Sequence, residues 1–210
     1  SDYTALNGVT TQDLSGNNLS ITSTGGGDGF VTDTNFYSQI ATTDFTFSVD
    51  ILGVGTNTYA FLSDAGSTAA QFAFGLIVQT GTNDRIVVRS GATGAESNKN
   101  ITQAQIHGLG GDLAGWTPGS LNTYALSVSG GLDSGTIAGL TINGVDATSL
   151  LGVTPLTVDY GADSASGYQI KLQRAGVFDN VQLATIPEPG TFALIGGLLA
   201  LGSVAMRRRK

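Results

Sequence analysis

Residues 44–52 read DFTFSVDIL, in which Phe45, Phe47, Val49 and Ile51 alternate with Thr46, Ser48 and Asp50. Successive side chains of a β-strand point to opposite faces, so this period of two predicts a strand with one face buried. Comparable segments follow at 59–62, 71–79, 84–89, 123–128, 137–142, 168–173 and 177–183. Between them stand turn clusters such as TGTND at 80–84, SGGLDSG at 129–135 and NGVD at 143–146, where Gly supplies positive φ and Asn or Asp tolerates it. Eight or more short strands punctuated in this way, with no long helical pattern before residue 186, predict an all-β fold, an antiparallel β-sandwich. Residues 90–122 interrupt the rhythm. They are polar and Gly-rich, and read as a long surface loop with at most one helical turn near 101–106.

Charge divides the chain at the same place. Four of its nine cations are its last four residues, leaving Arg85, Arg89, Lys99, Lys171 and Arg174 against fifteen acids in residues 1–185, a net charge of −10 there. Nucleic acid is excluded as a partner, because a phosphate backbone needs a basic face. The acids are almost all Asp, with Glu only at Glu96 and Glu188. Asp favours turns and oxygen-rich cation sites, whereas Glu forms helices. The chain has no Cys, so no disulfide braces it. Residue 1 is Ser, and no basic segment followed by an apolar one precedes Asp2, so any export leader is expected to lie outside this numbering.

The end of the chain reads IPEPG, then TFALIGGLLALGSVAM, then RRRK. Residues 191–206 carry no charge, and as a helix they span roughly 24 Å against a hydrocarbon core of about 30 Å. The expected anchor residues are Thr191, Phe192, Leu194, Ile195, Leu198, Leu199, Leu201, Val204 and Met206. Arg207, Arg208, Arg209 and Lys210 extend the span by snorkelling. Cationic flanks favour the cytoplasm, so a C-terminal transmembrane helix is expected with Lys210 inside and residues 1–185 in the periplasm or outside the cell.

The ordered triple of Pro187, Glu188 and Pro189, a short apolar run and a terminal basic cluster resembles the PEP-CTERM sorting signal of exopolysaccharide-producing Gram-negative bacteria. The resemblance implies export, inner-membrane delivery, recognition by exosortase and cleavage near the turn with release to the cell surface. It divides the chain into an ectodomain, 1–185, and a sorting and anchor segment, 186–210. A second resemblance rests on DFTFSVDIL, TYALSVSGG, TINGVD and GYQIKLQRAGVFDNVQL, which are similar to segments of concanavalin-type or laminin-G-like jelly rolls. The closing Phe178-Asp179-Asn180-Val181 also resembles the last strand of jelly-roll carbohydrate-binding modules. That resemblance implies a structural Ca²⁺ on Asp179, with Asp28 and Asp33 of GGGDGFVTD as candidate partners. The alternative is that Asp179 and Asn180 bond nearby backbone amides. Calcium is the one cofactor suggested.

Catalysis is not expected. Glycosidases need two carboxylates about 5 to 9.5 Å apart, and no strand presents acid, any residue, acid. The single His, His107, lies in the Gly-rich stretch without a nucleophile constellation. For sugar stacking the candidate rings are Trp116, Tyr124 and Tyr160, with Trp116 foremost because GWTPG is not strand-like, although a lone Trp tends to pack beneath its own loop. Two function classes follow. One is a non-enzymatic surface protein contributing to the extracellular matrix or binding polysaccharide. The other is a single-pass structural subunit whose helix is retained among other membrane or surface proteins while the sandwich caps the assembly.

Overall fold

The alternation at 44–52 becomes a strand, Phe45–Gly53, that buries every second residue and leaves Phe45, Phe47, Val49 and Ile51 wholly inaccessible. Full burial of each such side chain stabilises the fold by about 2 kcal/mol. The computed structural model describes residues 3–6, 12–13, 19–21, 29–32, 36–53, 55–64, 72–92, 95–160 and 167–186. Within them the chain is mostly β. The strands begin with β1 (Tyr3–Leu6), β2 (Gln12–Asp13), β3 (Leu19–Ile21), β4 (Gly29–Thr32), β5 (Phe45–Gly53), β6 (Asn57–Asp64), β7 (Phe72–Gln79) and β8 (Arg85–Ala92). They continue with β9 (Ala95–Thr102), β10 (Asn122–Ser129), β11 (Gly135–Ile142), β12 (Val145–Asp146), β13 (Thr157–Asp159), β14 (Tyr168–Gln173) and β15 (Gly176–Thr185). The described α-helical pieces are single turns, α1 (Tyr37–Ile40), α2 (Gln103–His107) and α3 (Gly131–Ser134).

Hydrogen bonds order the strands β1-β4-β14-β6-β7-β8-β13-β11-β10-β5-β15-β3-β2, with β9 on β8 and β12 on β11. Among the described pairings only β8–β13 is parallel, and it joins just Gly91 and Ala92 to Val158 and Asp159. There the ribbon turns over, so that its two halves pack like the layers of a sandwich. Phe74 of β7 meets Phe45 of β5 edge-to-face, with ring centroids 5.8 Å apart. Ala60, Leu62, Leu76, Val78, Ile86 and Val88 come from one half and Tyr124, Leu126, Leu140, Ile142 and Phe178 from the other, all at 1% exposure or less.

Two expectations are corrected. Residues 90–122 are not one loop: β8 runs on to Ala92, and β9 follows as an outer strand paired to β8 along its whole length. Ile101, opposite Ile86, is fully buried, whereas Ser97, Asn98 and Asn100 of the same strand are exposed. One apolar anchor suffices for a strand with so much open surface, and one anchor makes no visible alternation. The helical turn starts two residues later than expected, at Gln103, where Thr102 accepts a bond from the Gln105 amide and Gln105 accepts one back from Thr102. The stretch SGGLDSG also holds more than a turn, since Gly131–Ser134 forms α3. As for the membrane helix, no helix among the described residues is long and apolar enough to cross a bilayer, and the expected anchor at 191–206, Arg207 to Lys210 and the Pro187-Glu188-Pro189 turn lie outside the described residues.

Candidate functional site

Every second residue of β6, β7, β8 and β9 faces away from the core. Eight of these, Tyr59, Ile77, Gln79, Arg85, Val87, Arg89, Asn98 and Asn100, line an open groove of about 350 Å³. Register arranges them in rows. Tyr59 opposes Ile77, Ile77 opposes Val87 and Val87 opposes Asn100, giving a ring at one side, an apolar floor and an amide at the other across about 14 Å.

A polar row lies on one flank. Asn57 opposes Gln79, which opposes Arg85. The Arg85 Nε donates to the Gln79 carbonyl oxygen, and the Gln79 amide nitrogen donates to the Asn57 carbonyl oxygen. These bonds fix the plane of the guanidinium. The β7–β8 turn that sets this register is held by Asp84, whose carboxylate accepts the Gly81 amide at 2.9 Å.

On the other flank Phe61 opposes Gly75, Gly75 opposes Arg89 and Arg89 opposes Asn98. Gly75 has φ 153°, and a Cβ there would come within 2.3 Å of the Ala60 carbonyl oxygen and 2.6 Å of the Phe61 ring. Phe61 therefore lies over a position that must lack a side chain. The Arg89 guanidinium carbon is 6.0 Å from the Phe61 centroid. The Phe61 and Tyr59 rings are 5.5 Å apart, and the Arg174 guanidinium carbon stands 4.9 Å from the Tyr59 centroid. Two guanidiniums thus bracket an aromatic pair. Arg174, between β14 and β15, has φ 64°, a left-handed conformation that costs a non-Gly residue roughly 1–2 kcal/mol. Its buried Nε has no hydrogen-bond partner among the described residues.

The cations of residues 1–185 are unevenly placed. Lys171, opposite Phe61 on β14 and 3% exposed, shares the face with Arg85 and Arg89, and Arg174 borders it. Four of the five cations of residues 1–185 are therefore gathered on or beside one sheet face, and none of the eight groove-lining residues is acidic.

The residues picked from sequence lie elsewhere. Trp116 is 2% exposed, and its indole N–H donates to the Tyr124 hydroxyl at 3.2 Å. Its carbonyl accepts the His107 Nε2–H at 2.8 Å and the Gln103 amide at 3.1 Å, which makes His107 a clasp on the loop. Tyr124 and Tyr160 are buried too, at 0% and 2%. None of the three rings presents a stacking face. Asp179 sits opposite Asp50 across β5 and β15, beside a register shift. Its carboxylate accepts the Asn180 amide at 2.7 Å, and the Asn180 side chain donates to Asp50 at 2.7 Å. No group of three or more His, Cys, Asp or Glu able to hold a metal occurs among the described residues, and Asp28 and Asp33 lie outside them.

The chain leaves the sheet at the end of β15, where Thr185 pairs with Phe45 and the Ile186 amide donates to the Asp44 carbonyl at 2.7 Å. Residues 185–210 match the PEP-CTERM protein-sorting motif. The motif implies an exported, membrane-associated protein that exosortase processes. No curated protein matches the chain significantly. Among solved structures, a polysaccharide lyase of family 18 is similar at 10% identity over 89% of this chain and 95% of its own, with a TM-score of 0.43. The binding domain of botulinum neurotoxin serotype D is similar at 11% identity over 87% of this chain and 42% of its own, with a TM-score of 0.39. A botulinum neurotoxin type C structure, whose cell entry depends on two ganglioside molecules, is similar at 11% identity over 93% and 46%, with a TM-score of 0.36. Likeness at these scores carries no argument about this chain.

Proposed function

We propose that this protein is a non-enzymatic, exported surface protein whose β-sandwich binds polysaccharide in the groove of β6–β9. The observation that carries the reading is the groove's composition: a half-buried Tyr59 ring beside an apolar floor, with guanidinium and amide groups around it. Sugars present apolar ring faces and hydroxyl edges, and a ring flanked by fixed donors and acceptors meets both. The Arg85–Gln79–Asn57 chain holds those donors in place before a ligand arrives, which lowers the ordering cost of binding.

Position supports the same reading. Thr185 pairs with Phe45, Phe45 with Val128 and Val128 with Ile137, and two residues before Ile137 the same strand pairs Gly135 with Val158, which pairs with Gly91, so Arg85 lies at the end of β8 remote from the sorting motif. The Arg85 end of the groove is thus the end farther from where the chain leaves the sheet toward that motif. Absence of turnover is proposed because the eight lining residues include neither carboxylate nor His to serve as an acid–base pair. Among the described residues, the opposed carboxylates Asp50 and Asp179 lie on another sheet face and are bonded to Asn180.

The test is an affinity measurement. The detergent-solubilised full chain, titrated with a panel of defined polysaccharides, should show saturable binding to at least one and release no reducing ends from any. Binding that is unchanged in Tyr59→Ala, or sustained release of product, contradicts the reading.

A further inference from the structure

We infer that the end of β15, residues 182–186, is a release latch for the sorting motif, which must unzip from β5 before exosortase can act. This rests on the processing that the motif implies and is independent of what the groove binds. Motif and fold share residues. The match begins at residue 185, yet Thr185 still pairs with Phe45, and the Ile186 amide donates to the Asp44 carbonyl at 2.7 Å. The sheet therefore runs into the motif without a linker. A protease takes its substrate as an extended, unpaired chain, and backbone already bonded to its own sheet is closed to it.

The strand is built in two pieces of unequal strength. Residues 176–178 pair with β5 on one side and β3 on the other, and Phe178 is 1% exposed. The register then shifts between Asp179 and Gln182, where Asn180 takes a left-handed φ of 47° and is bonded to Asp179 and Asp50. Beyond this bulge, among the described residues, 182–185 pair with β5 alone, through Ser48, Phe47, Thr46 and Phe45. Gln182, Ala184, Thr185 and Ile186 are exposed, and Leu183 is only partly buried. Little apolar surface holds this piece down, so it opens before the rest of the strand. Its opening leaves β5 in place, because β10 pairs with β5 from Asn122 to Val128 and the Asp44 carboxylate accepts the Gly130 amide at 2.8 Å. The freed residues give about 16 Å of extended chain between the bulge and residue 187.

A removable staple tests the latch. Ser48 and Gln182 are cross-strand partners, their spacing in a ladder suits a disulfide, and the chain has no Cys of its own. The full chain carrying Ser48→Cys and Gln182→Cys, in oxidised membranes of an exosortase-bearing host, should be shortened at least about tenfold more slowly than wild type, since cleavage follows the open population. A thiol that reduces the staple should restore the wild-type rate, and so should a short Gly-Ser insertion after Ile186, which supplies the missing slack. A stapled chain shortened at the wild-type rate overturns the inference, as does slowing that survives either the thiol or the insertion, or a wild-type chain that is never shortened. Without any enzyme, hydrogen exchange of the full chain in detergent should run at least about tenfold faster over 182–186 than over 176–178. Equal protection of the two pieces overturns it as well.

Discussion

The Arg174 guanidinium lies 4.9 Å from the centre of the Tyr59 ring, although the two residues are 115 positions apart in the chain. Gln173 pairs with Tyr59 across β14 and β6, and the left-handed turn at Arg174 swings the next side chain back over the ring. A half-buried contact of this kind contributes about 0.5–2 kcal/mol to folding. Tyr59→Ala and Arg174→Gln should accordingly shift the melting temperature by a few degrees at most while weakening polysaccharide binding about five- to fifty-fold. Calorimetry and titration of the same samples check both halves.

Gly75→Ala should do the reverse. The added methyl meets the Ala60 carbonyl and the Phe61 ring at a φ that L residues avoid, so a loss of roughly 2–4 kcal/mol is expected in chemical denaturation. A stability within about 0.5 kcal/mol of wild type would show that Phe61 is not seated over Gly75.

Strand and groove were not equally legible in the sequence. The alternation of DFTFSVDIL survives as the buried face of β5, because one strand's pattern needs no knowledge of its neighbours. The groove depends on register between strands. That Gln79 faces Arg85 follows from the turn at 80–84, but that Tyr59 faces Gln173, and so meets Arg174, depends on a pairing between segments more than a hundred residues apart. The visible signal was the pair Arg85 and Arg89 at positions i and i+4 of an alternating strand in a chain with few cations. Trp116 misled for a related reason: GWTPG reads as an open loop, yet the Tyr124 hydroxyl and the His107 clasp draw its indole inside.

Trp116→Ala should therefore destabilise the fold by about 3–5 kcal/mol through the cavity it leaves, with no change in affinity for the folded fraction. Affinity lost in proportion to the substitution while stability is kept would restore Trp116 as a sugar platform.

Its partner Tyr124 makes the fold sensitive to alkali. Burial pushes the Tyr124 hydroxyl well above its ordinary value of 10.0, against the lowering influence of its bonds with Trp116 and Asn122. The folded state holds the proton that the unfolded chain releases near pH 10, so this contribution is complete below about pH 10 and declines as pH rises beyond it. Thermal melts should show stability falling above that pH, and Tyr124→Phe should flatten part of the decline. An identical slope in the variant would remove Tyr124 from the account.

Asp50 and Asp179 face each other as like charges, with Asn180 donating to both, and like charges directly opposite across a sheet are destabilising. Asp179→Asn should then stabilise the protein slightly, equally with calcium and with chelator. Destabilisation seen only in calcium would place an ion on the pair.

The central claim is that polysaccharide lies across β7 and β8 rather than against the Trp116 loop. Hydrogen–deuterium exchange of the full chain in detergent, with and without saturating polysaccharide, reads this directly. The account predicts slower exchange confined to the β7–β8 region around Gln79–Arg89 and to the β14–β15 turn at Arg174, with residues 108–120 unaffected. Protection centred on residues 108–120 or on the β5–β15 face, or none anywhere while binding is demonstrated, would contradict it.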